Sequence, residues 1–155
     1  MRHEEQRERM IFFGHLLFLG VALLLQTWSF LADYARPDFA LVLLLVSALF
    51  LDFPKIFLMI LIAVFFLNWQ PSLSLDLIVF SILPILAFLA KKFIPGRPEV
   101  VGFFAVFLGT LAFYSISTFE VFWSNLVLAG AVVVWNLVFG YLAYSVIAKF
   151  LKPLR

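Results

Sequence analysis

The chain has 155 residues, of which 65% are apolar, 21 are Phe and only 13% are charged, so it lacks the polar surface that a water-soluble fold requires. At roughly 20 residues per crossing, one domain of about six membrane helices takes up nearly this whole length, leaving no space in it for a soluble catalytic domain. A net charge of +2, with the basic residues at the edges of apolar segments, offers no patch for nucleic acid, and the lack of cysteine excludes disulfides and thiolate chemistry.

Residues 1–9, MRHEEQRER, are charged and short, and no small-residue cleavage site follows the next apolar stretch, so a retained first helix is predicted over residues 10–32. A polar turn leads to Pro37, a fitting first residue for a second helix at 37–52. That helix and the third, at 54–69, are short. Thirteen residues separate Asp38 from Asp52 and twelve separate Lys55 from Asn68, about 20 Å each against a ~30 Å hydrocarbon core. Two short crossings or a re-entrant hairpin fit these lengths. A hairpin would sink Lys55 into hydrocarbon at roughly 2.5 to 3.5 kcal/mol per charge, which favours two crossings, with Trp69 at the interface. A fourth helix at 74–90 contains Pro84 and is expected to kink there. Lys91, Lys92 and Arg97, with Pro95, Gly96 and Pro98, mark a loop before helices at 100–118 and 122–148.

Orientation follows from the eleven Lys and Arg. With the N-terminus in the cytoplasm, ten lie inside and only Arg36 lies outside. The predicted fold is thus an all-α integral membrane protein, a single bundle of six transmembrane helices with both termini cytoplasmic.

Small and polar residues recur at helical spacing. On the first helix these are His15, Ala22, Gln26, Ser29 and Asp33. On the fifth they are Gly102, Ala105, Gly109 and Ala112, and on the sixth Asn125, Ala129, Asn136, Gly140 and Ala143. Such stripes allow close backbone approach, either inside the bundle or against a partner helix. Gln26, Asn125 and Asn136 are also the polar groups that could converge on a small ligand. Asp76 is a possible intramembrane acid for a proton or ion relay, although in the first turn of its helix it also suits the helix dipole. His15 has no second ligand at metal-binding spacing, so no metal or cofactor is expected. No Ser-His-Asp set, phosphate loop or matched carboxylate pair is present, and no enzymatic activity is expected.

Two stretches carry a family likeness. The run Ala22-Leu-Leu-Leu-Gln26, followed by Arg36-Pro-Asp-Phe-Ala-Leu-Val-Leu-Leu-Leu-Val46, resembles the opening of the bacterial rod shape-determining MreD proteins. Trp135-Asn-Leu-Val-Phe-Gly-Tyr-Leu-Ala-Tyr144, with Lys149 and Lys152 beyond it, is similar to that family's last helix. The family's central Gly-Leu-x-x-Asp-like segment is met here by Pro71-Ser-Leu-Ser-Leu-Asp76, which has the Asp but not the Gly. The resemblance implies a non-enzymatic scaffold of the cell-wall elongation machinery in the bacterial cytoplasmic membrane. Its implied partners are an MreC-like membrane protein, the actin-like MreB, RodA and a penicillin-binding transpeptidase. A competing class of similar size is the substrate-binding subunit of an energy-coupling vitamin importer.

Overall fold

The computed structural model describes residues 2–27, 38–67, 74–93 and 97–150. Ser29, Asp33, Arg36, Pro37, Asn68, Trp69, Pro71, Pro95, Gly96 and Lys152, named above, lie outside them. Among the described residues the chain is all helix: α1 (Arg2–Thr27), α2 (Phe39–Phe50), α3 (Phe53–Leu67), α4 (Leu75–Ala90), α5 (Pro98–Ser117), α6 (Phe119–Ser124) and α7 (Leu126–Phe150). Stretches of α1, α5 and α7 are long and apolar enough to cross a membrane, while α2, α3 and α4 are shorter apolar helices. This is a helical membrane protein.

Several boundaries differ from the sequence expectation; α2, for one, ends at Phe50 and not at 52. The charged opening is helical, because Glu, Gln and Arg are good helix formers and Glu5 and Arg9 pair one turn apart at 2.8 Å. α5 starts at Pro98, which occupies the first helical turn, where its missing N–H costs nothing. The single helix expected over 122–148 is divided at Asn125. There the side-chain Oδ1 accepts from Leu128 N at 3.1 Å and the carbonyl accepts from Ala129 N at 2.9 Å, so Asn125 caps α7 and ends α6. α4 stays one helix through Pro84.

The centre of the bundle is α2. Its sequence FALVLLLVSALF is apolar apart from Ser47, which suits a helix enclosed by protein or by lipid, and here it is enclosed by protein. Ala40 to Ala48 are all buried, and α2 packs against α1, α3, α4, α5 and α7. By contrast, only 28% of the apolar stretch in each of α1, α5 and α7 is buried. These longer helices therefore turn most of their surface outward.

Side-chain contacts fix the directions. Gln26, near the end of α1, bonds to the start of α2, while Glu8, near the start of α1, pairs with Lys55 in α3 at 3.2 Å. Lys91, just past α4, reaches the end of α2, and Phe50 packs on Tyr144 of α7 with ring centroids 5.4 Å apart. One end of the bundle thus gathers Glu8, Asp52, Lys55 and Lys91. Gln26, Asp38, Thr110 and Asn136 gather at the other.

Two glycines permit the close approach of α5 and α7 to α2. A Cβ on Gly140 would lie 3.0 and 3.2 Å from the two methyls of Val106 and 3.4 Å from Val42, and a Cβ on Gly109 would lie 2.6 Å from the Leu45 side chain. Val106 is β-branched and stiff, so it cannot turn away. Gly140→Leu should therefore destabilise the bundle by about 1 to 3 kcal/mol through overpacking. Gly130 has no atom within 4 Å of such a Cβ, and Gly130→Ala should be neutral or stabilising. Thermal unfolding in detergent, followed by circular dichroism, checks the contrast.

Candidate functional site

Twelve residues of α2 span only about 18 Å, less than a ~30 Å hydrocarbon core, so its terminal N–H and C=O groups cannot reach water at both ends. The chain supplies partners from other helices. At the N-terminal end, Asp38 caps α2 by accepting from Leu41 N at 3.2 Å. Gln26 Oε1 from α1 accepts from Ala40 N at 2.9 Å, and Asn136 Oδ1 from α7 accepts from Asp38 N at 2.8 Å. Asn136 Nδ2 then donates to Thr110 Oγ1 of α5 at 3.1 Å. Asp38, Thr110 and Asn136 are all buried. At the C-terminal end, Lys91 Nζ donates to the carbonyls of Ala48 and Leu51, 2.8 Å each, and stands 4.2 Å from the Phe88 ring centroid.

Of the three polar residues considered for convergence, Gln26 and Asn136 meet at the start of α2. Asn125 does not join them, because it is exposed at the cap of α7. Asp76 is exposed in the first turn of α4, beside the Ser74 cap, where its charge suits the positive end of the helix. His15 is fully buried, with Nδ1 2.9 Å from the Ile11 carbonyl and Nε2 without a hydrogen bond. Among the described residues no group of three His, Asp or Glu could hold a metal ion.

The small-residue stripes take several positions. Gly102 lies against Leu49 and Tyr144, Gly109 against Leu45, and Gly140 against Val106 and Val42, while Ala129 is buried. Ala105 and Ala112 line an apolar crevice between α4 and α5.

Sequence reading missed Asp38, Thr110 and the inward role of Lys91. Asp38 carried a usable signal, a Pro-Asp step before an aliphatic run, which is a helix-start pattern. Thr110 and Lys91 carried none, because their partners lie 26, 40 and 43 residues away. No family model matches the chain, and neither curated proteins nor solved structures give a match.

Chemically, the arrangement holds one helix in place. Asn136→Leu would strand the Asp38 N–H and the Thr110 hydroxyl, at about 1 to 3 kcal/mol for each unsatisfied group. Thr110→Val removes only the last link and should cost less than Asn136→Leu. Lys91→Met should loosen the opposite end, so hydrogen exchange at the end of α2 should speed up in that variant more than at its start.

Proposed function

We propose that this chain is a non-enzymatic scaffold of the bacterial cell-wall elongation machinery, similar to MreD, that crosses the cytoplasmic membrane six times and binds partner proteins through helix surfaces. One observation carries this reading: the two stretches that bear the family likeness come together in space. Gln26 and Asp38 belong to the first and Asn136 to the second, and they converge on the N-terminal end of α2. The resemblance therefore falls on residues that organise the bundle as well as on apolar filler.

The rest of the molecule agrees with a scaffold. The buried polar cluster has inward work, and the outward faces of α1, α5 and α7 carry large exposed apolar side chains such as Leu17, Phe103, Phe104 and Tyr141. Such faces suit contact with lipid or with other membrane helices, which associate by packing. For the orientation, α1 to α4 alternate in direction, and Lys55 and Lys91 share an end of the bundle with Glu8 near the N-terminus. That end is assigned to the cytoplasm by the positive-inside rule.

Affinity purification in mild detergent should recover a single-span MreC-like protein. Recovery of transport ATPase subunits instead, or tight binding of a vitamin, would favour the import reading and sink the scaffold. For the six crossings, a periplasm-active reporter joined after Arg97 should be silent and one joined after Ser117 active, and activity at Arg97 would overturn the topology.

A further inference from the structure

We propose that the crevice between α4 and α5 is a binding site for one anionic glycerophospholipid, with an acyl chain in the crevice and the headgroup phosphate at Arg97. The cavity has a volume of about 270 Å³. Its floor is buried Leu45, Leu83, Ala87 and Gly109, and its rim is exposed Leu86, Phe104 and Leu108, so it opens sideways from the bundle. In a membrane protein such an opening faces hydrocarbon.

The shape selects the occupant. α4 and α5 touch one another as well as α2, and the space left between them, about 270 Å³, is far less than a helix of 10 to 12 Å diameter occupies over the same length. An extended hydrocarbon chain fits a narrow slot. Along α5 the lining runs from Val101 to Ala112, eleven helical steps or about 16 Å, which is the reach of a long acyl chain. Because lipid tails are as apolar as the crevice walls, apolar burial alone gives no preference for one lipid, and selectivity has to come from the headgroup.

Arg97 supplies it. It is the N-cap of α5, and its carbonyl accepts from Val101 N at 3.2 Å, so it stands one turn beyond the Val101 end of the slot. It is exposed and makes no ion pair among the described residues. Its planar guanidinium suits bidentate phosphate contact, and the start of α5, which lacks a side-chain cap, adds a positive helix end. Glu99 is turned elsewhere, towards Tyr144 in the space between α5 and α7.

The experiment incorporates the full chain into nanodiscs of equal parts phosphatidylglycerol and phosphatidylcholine, extracts it gently and counts retained lipids by native mass spectrometry. Wild type should keep one phosphatidylglycerol. Arg97→Gln should reduce the preference over phosphatidylcholine by about fivefold. Ala105→Leu with Ala112→Leu should remove the retained lipid, while Gly130→Leu, in open space, should not. Should the filled variant fail to fold, a benzoylphenylalanine at Leu108 replaces it as the readout and should photo-crosslink to phosphatidylglycerol. Equal lipid retention in all variants overturns the proposal, as does a Leu108 crosslink to a second copy or a partner helix.

Discussion

A helix too short to reach water at both ends must find partners for its buried terminal groups inside the protein, and that requirement governs this bundle. At the start of α2 the N–H groups of Leu41, Ala40 and Asp38 go to Asp38, Gln26 and Asn136, and the carbonyls of Ala48 and Leu51 go to Lys91. In hydrocarbon each such group left unpaired would cost several kcal/mol, so α1, α4 and α7 are tied to α2 by need as well as by packing. The chain thereby specifies one arrangement of helices although most of its side chains are interchangeable hydrocarbon.

Packing follows from the same centre. With α2 wrapped by five helices, close approach is needed along it, and the glycines of α5 and α7 provide it at Leu45, Leu49, Val42 and Val106. Aromatic rings fill the next layer, as where Phe39 meets Phe139 edge-on at 4.9 Å and Phe80 meets Phe113 at 6.4 Å. The surface ion pair of Lys55 with Glu8 contributes little by comparison, since exposed pairs are worth about 0 to 1 kcal/mol.

Much of this was legible in the sequence and some was not, for physical reasons. Six apolar runs bounded by charges, Pro and Ser placed the long elements, because helix ends must meet polar residues. The run from Phe39 to Phe50 read only as a short crossing or hairpin, since a helix with no polar face can be enclosed by lipid as well as by other helices, and its central place was not legible. Sequence could not pair Asn136 with the Asp38 amide, 98 residues away, since nothing local distinguishes a capping amide from one facing a partner. The division at Asn125 was hidden in the same way, because apolar residues flank it and composition does not change there. The charge count assigned Lys91 to orientation alone, whereas the side chain also folds back to the end of α2.

The 98-residue reach of the Asn136 bond also bears on biogenesis. A ribosome delivers α1 to α4 long before α7 emerges, and during that interval the Asp38 amide has no Asn136 to meet. The half-made protein therefore holds a short apolar helix with one end incompletely paired, a state that a bilayer penalises and an insertion machine can shelter. Completion of α7 is then the step that commits α2 to its final depth.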